Sequence, residues 1–185
     1  MRTLWQSAGL AALTVNLTTG LAGSAAAGDL AVEIAVPRMS VAEYHRPYVA
    51  VWIARPADQS VAANLAVWYQ QDGRGDEDGK TWLKDMRQWW RRTGRTLSLP
   101  LDGVSGPTQA PGTHRVEGAA AVPGLDQLPP GEYVLHVEAA REVGGREMVS
   151  VPFSWPATAA TVLSAQGDSE LGTVTVTLSP GSQAQ

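Results

Sequence analysis

Residues 131–155 read GEYVLHVEAAREVGGREMVSVPFSW. Apolar and polar side chains alternate on both sides of Gly144-Gly145, which predicts a hairpin of two strands, 131–142 and 146–155. Successive strand residues point to opposite faces, so alternation of this length marks a sheet with at least one face in a core. Outward from the hairpin the pattern recurs in DLAVEIAVP (29–37), YVAVWIA (48–54), NLAVWYQ (64–70), RTLSLPL (95–101), THRVEGA (113–119) and GTVTVTL (172–178). Asp72-Gly73, Pro111-Gly112 and Pro129-Pro130-Gly131 stand between these runs as turn signals. Many short strands punctuated in this way predict an all-β fold, an immunoglobulin-like antiparallel β-sandwich.

The first 27 residues are of another kind. MRTLWQS has Arg2 as its only charge, an apolar stretch follows, and Ala25-Ala26-Ala27 offers the small residues of a signal-peptidase site, so cleavage is expected after Ala27. The alternative is a membrane anchor, but Asn and Thr interrupt the apolar stretch, which is shorter than the roughly 20 residues that span a bilayer. No later segment is long and apolar enough to span one. Removal of the leader from 185 residues leaves 158, which fits one domain over 28–179 with 180–185 as a disordered tail. The chain has no cysteine, so it has no disulfide, thiolate metal site or thiol nucleophile, and for an exported protein this favours a bacterial periplasm. Net charge is −4, or −5 once Arg2 leaves with the leader, a mildly acidic balance that argues against nucleic acid as a partner.

One stretch breaks the strand pattern: TWLKDMRQWWRR, residues 81–92. At 100° per residue a helix over 80–93 gathers Trp82, Leu83, Met86, Trp89 and Trp90 on one side and places Lys80, Lys84, Arg87 and Arg91 nearly opposite. Asp76, Glu77 and Asp78 precede its positive end, and Gly94 is placed to cap the other. The docking surface expected for this amphipathic helix is the sheet face where Trp52 and Trp68 alternate with alanines, opposite a face of Val49, Val51, Ile53, Leu65, Val67 and Tyr69. Trp52, Trp68, Trp82, Trp89 and Trp90 then form a second, structural core. A solvated face is the plain reading of the cations. Four cations with no acid among them also suit an anionic partner: a phosphate or carboxylate ligand, a lipid headgroup or an acidic protein surface. A helix lying in a membrane interface is a further reading.

Catalytic patterns are scarce. His45, His114 and His136 have no HxH or HExxH spacing, and no metal site is expected. His136 and Glu138 share one face of a strand, read as a half-solvated outer face. Ser105 in DGVSG (102–106) lacks the strand–turn–helix setting of a nucleophile elbow, but the Gly-rich loop can turn N–H groups toward an anion. Asp102, Ser105 and one histidine are the candidates for a hydrolase, and no catalytic set is assigned. Histidine, tyrosine, Met39, Met86 and Met148 are possible haem ligands, although no spacing demands it, and c-type attachment is excluded without cysteine.

The order of VAVWIARP, LAVWYQ, TWLKDMRQWWRR, LDGVSGPTQAPGTHRV, LPPGEYVLHVEAARE and VSVPFSW resembles the domain of unknown function 2271 family of predicted periplasmic proteins, over about 29–179. The PPGEY turn also looks like that of the immunoglobulin-like module of flagellar hook-capping proteins, which supports a sandwich and transfers no flagellar role. The segment EGAAAVPGLDQLPPG departs from the family pattern, in which an acidic, glycine-rich turn is usual. The family resemblance implies a periplasmic part in redox or iron handling, beside membrane proteins of the PepSY type and flavin-transferring enzymes. The expected function is a non-enzymatic accessory or binding protein for a membrane-associated iron, haem or flavin redox system. Lys84, Arg87 and Arg91, with Asp102 and Ser105 of the neighbouring loop, are the expected partner-binding residues. The alternatives are a protein–protein interaction module without small ligand and, third, a hydrolase.

Overall fold

A computed structural model of the chain describes residues 28–71, 79–117 and 127–181. The leader, the acidic run at 76–78, most of the EGAAAVPGLDQ segment and the last four residues of the tail lie outside these.

Among the described residues, nine strands form two sheets. In chain order they are β1 (Asp29–Val36), β2 (Tyr48–Ala54), β3 (Val61–Trp68), β4 (Ser105–Gly106), β5 (Gly112–Glu117), β6 (Gly131–Ala140), β7 (Arg146–Trp155), β8 (Thr161–Gln166) and β9 (Thr173–Ser179). One sheet has the order β5-β1-β9-β8 and the other β4-β3-β2-β6-β7. Every pairing is antiparallel except that of β3 with β4. The result is an all-β sandwich, as the alternating pattern predicts. Its core takes Leu30, Val32 and Ile34 from β1, Val174, Val176 and Leu178 from β9, and Val49, Val51, Ile53, Leu135, Val137, Val151 and Phe153 from the facing sheet.

The hairpin that opened the reading is β6–β7, in register from Gly131↔Trp155 to Ala140↔Arg146. Its turn is closed by Gly144 N–H to Arg141 O at 3.0 Å and Arg141 N–H to Gly145 O at 3.1 Å. Two strand expectations fail. RTLSLPL is not a strand: Gly94–Thr96 is a 3₁₀ turn, and Leu97, Leu99 and Leu101 pack on a second core instead. Pro100 removes a ladder donor there, and the place beside β3 goes to the two residues of β4. Conversely, TVLSAQ forms β8, whose polar residues and single leucine hide a half-exposed edge strand.

The five-stranded sheet is covered on both faces. On β2, Val49, Val51 and Ile53 enter the sandwich while Ala50, Trp52 and Ala54 enter the second core. On β3 the faces are the reverse of those expected: Ala66 and Trp68 enter the sandwich, and Val67 and Tyr69 face outward into the second core. The register explains it, because Val49 pairs with Trp68 and Ala50 with Val67, and directly paired residues share a face. A bulge follows, with Val51 opposite Ala66 and Trp52 opposite Asn64, so Leu65 is the extra residue and also reaches the sandwich core.

Candidate functional site

The segment expected to be one helix is built in two pieces. Gly79–Asp85 is 3₁₀, Arg87–Arg92 is α-helical (α1), and Met86 between them has φ −76° and ψ 71°, outside the helical region. Met86 stands at the N-cap position of α1 and offers its free N–H groups no side-chain acceptor. Glu138, on β6, supplies one from across the layer: its carboxylate accepts the Gln88 N–H at 3.0 and 3.1 Å and the Trp89 N–H at 2.8 Å. Arg146 Nη1, on β7, donates to the same carboxylate at 2.9 Å. Glu138 is 0% exposed. A buried carboxylate is tolerated when cations and N–H donors meet its lone pairs, and here all of its recorded partners are such donors.

The face of β6 bearing His136 and Glu138 is therefore buried under the helical layer, not half-solvated; His136 is only 6% exposed. The sequence signal for this was Glu138 standing between Val137 and Ala139-Ala140, in the most apolar part of the strand. Further along, Asn64 Oδ1 accepts Trp89 Nε1–H at 2.9 Å, and Asn64 Nδ2 donates to Thr93 Oγ1 at 3.3 Å. Gly94 lets the Trp89 ring lie on the backbone, since a Cβ there would stand 2.5 Å from Cζ3.

The five tryptophans are placed differently from one another. Trp52 and Trp89 are fully buried in the second core, Trp90 is packed partly buried against it, and Trp68 belongs to the sandwich core. Trp82 is 38% exposed, and Lys84 Nζ lies 5.7 Å from its ring centroid. The break at Met86 accounts for this, because a 3₁₀ piece turns by 120° per residue and leaves the face that 100° spacing predicts.

Lys84, on the 3₁₀ piece, and Arg87 and Arg91, on α1, are all exposed. Arg91 Nη2 donates to Gln88 Oε1 at 2.6 Å. Asp102 is exposed at the turn before β4, and the Ser105 hydroxyl oxygen accepts the Leu101 N–H at 2.9 Å. Val104 between them is buried in the second core, which sets the loop beside the layer. Ser105 also lines a groove of about 390 Å³ with Trp68, Gln109 and His114, whose walls include none of the three stripe cations. His114 Nε2 lies 2.7 Å from Ala110 O and so carries a proton toward it. The Ser–His hydrogen bond found among the described residues joins Ser150 Oγ to His136 Nδ1 at 2.8 Å.

No group of three or more His, Cys, Asp or Glu gathers to hold a metal among the described residues. Four of the side chains considered for haem have partners within the chain. Met86 is buried in the second core, His136 is tied to Ser150, His114 to Ala110, and His45 to Glu43 and Glu142. No helix among the described residues is long and apolar enough to cross a membrane.

Comparison with curated proteins and with solved structures returns no match. A family model does match over residues 29–173, from the first strand into the last, taking in both sheets and the helical layer. The chain thus belongs to the family described as Predicted periplasmic protein (DUF2271).

Proposed function

We propose that this chain is a non-enzymatic binding protein of the periplasm, exported by a leader cleaved after Ala27, which offers Lys84, Arg87 and Arg91 to an anionic group on a partner. The observation that carries the reading is the exposure of three cations on a layer that Glu138 and Trp89 fasten to the sheet. A side chain on a fastened element gives up less freedom on binding than one on a loose loop. The partner is a membrane-associated iron, haem or flavin redox system of the PepSY type, as the family resemblance implies. The redox group is assigned to that partner, a reading supported by Met86, buried in the second core, and by the three histidines, each held by a neighbour within this chain.

The full burial of Trp52 and Trp89 also favours a second reading, an interaction module with no small ligand. Haemin and riboflavin phosphate, each titrated against tryptophan emission, bear on the assignment of the redox group to the partner. Saturable quenching by either would contradict it. Capture of partners from periplasmic and membrane extracts at rising ionic strength tests the reading itself. A partner held by exposed cations is released as salt rises from about 0.05 to about 0.5 M, where screening shortens to a few ångströms. A partner retained throughout contradicts it.

A further inference from the structure

One row of directly paired residues crosses four strands beneath the helical layer: Asn64 on β3, Trp52 on β2, His136 on β6 and Ser150 on β7. Asn64 is satisfied by Trp89 and Thr93. The middle of the row is not. Trp52 Nε1 and His136 Nε2 are both buried with no hydrogen-bond partner among the described residues, and their rings lie 5.1 Å apart. His136 Nδ1 reaches outward to the exposed Ser150 hydroxyl at 2.8 Å.

We propose that His136 is a pH-sensitive latch for the helical layer: the neutral imidazole seats α1, and the protonated one loosens that seat while the sandwich stays folded. Protonation makes both ring nitrogens donors. Where the neutral ring donates Nδ1–H to Ser150 Oγ, the Nε2–H that protonation adds is buried beside Trp52 Nε1–H, a second donor with no acceptor among the described residues, and an unmet buried donor is costly.

Burial and the Arg92 charge act in the same direction. Arg92 of α1 stands close enough to oppose a positive imidazole, and burial opposes it more strongly, so together they hold the His136 pKa below the ordinary histidine value. From β7 comes Arg146, which is paired with Glu138. From β6 itself comes Glu138, whose carboxylate is already taken by the Gln88 and Trp89 N–H groups and by Arg146. From β2 and β3 the row contributes only Trp52 and Asn64, which are uncharged. The seated state therefore binds a proton less readily than the opened one, in which histidine titrates near about 6.5. Stabilisation of the seat is complete above that pH and is lost as the pH falls through the depressed value of the seated state. The layer yields before the sandwich because the opposite face of β6, with Leu135, Val137 and Ala139, belongs to the other core. Opening exposes Leu83, Met86 and Trp89 and releases the cations from a fixed array. The latch stands whether or not those cations bind the proposed partner.

Amide hydrogen exchange of the free protein at about pH 7 and about pH 5, corrected for intrinsic rates, tests it. Protection at Gln88 and Trp89 should fall several-fold or more between the two, about tenfold for each tenfold difference in proton affinity between opened and seated states. Val51 and Val137 should hold theirs. His136→Gln, which keeps a polar contact for Ser150 and does not titrate, should abolish the difference. An equal loss in that variant, an equal loss in the sandwich strands, or no loss at all would overturn the latch. If His136→Gln fails to fold, the imidazole Cε1–H titration of the native chain decides. A midpoint below the ordinary histidine range supports the latch, and one at or above about 6.5 refutes it.

Discussion

Glu138 is the residue on which the second layer depends. It closes a helix that begins some fifty positions earlier in the chain, a role usually filled by the residue just before the helix. Glu138→Ala should cost roughly 2–6 kcal/mol in urea denaturation, since two N–H donors lose their acceptor at roughly 1–3 kcal/mol each. Arg146 adds less to that loss, because its side chain is 38% exposed and regains water. Val143 makes the opposite prediction. It sits in the β6–β7 turn at φ 52°, in the left-handed region, and is 82% exposed. A β-branched residue is strained there and gains little from burial, so Val143→Asn should raise stability by about 1 kcal/mol. No change or a loss on thermal melting would mean that the turn relaxes or that Val143 meets something else. Neither site can be read from spacing alone. Glu138 looks like an outward residue of an alternating strand until α1 is seen to lack an acceptor of its own, and Val143 lies in a turn whose Gly144-Gly145 appears to supply all the freedom needed.

At the scale of elements, the helical layer is two short pieces fastened by a few deep contacts. Trp89→Ala should cost roughly 3–5 kcal/mol, as loss of a fully buried tryptophan does. Trp82→Ala, on the exposed side of the break at Met86, should cost within about 0.5 kcal/mol. Similar losses for the two would contradict the two-piece layer. The β8–β9 turn is fastened by a carboxylate in a comparable way. Burial works to raise the Glu147 pKa, but N–H groups of Asp168, Leu171 and Ser169 more than offset it and hold the group below the ordinary glutamate value. The stability this tether adds is present above about pH 4.5 and fades as acid protonates it, so Glu147→Gln should flatten the acid limb of the melting profile. β2, β6 and β7 were legible in the sequence: β7 alternates because one of its faces is buried, and β2 and the end of β6 run apolar because both faces are covered. RTLSLPL alternates just as well yet packs as a loop, because its leucines find a core without a ladder, and β8 was hidden by its polar edge. Face assignment on β3 failed at the Leu65 bulge, since one extra residue exchanges the faces on either side of it.

On the scale of the whole molecule, a sandwich with its own core supports a second, smaller core on one outer face, and the cationic segment forms the lid of that core. The tryptophans that suggest a ligand cage in the sequence are divided between two cores and the surface. The lysine and arginines between them point outward. Their role as the partner-binding face is the central functional claim, and charge reversal tests it most directly. Lys84→Glu, Arg87→Glu and Arg91→Glu together should leave the melting temperature nearly unchanged, as exposed substitutions do. The measurement is the affinity of this triple variant and of the native chain for each partner captured from periplasmic and membrane extracts. A loss of tenfold or more for at least one partner is the predicted result, and unchanged affinity for every partner would reduce the stripe to a solvated surface.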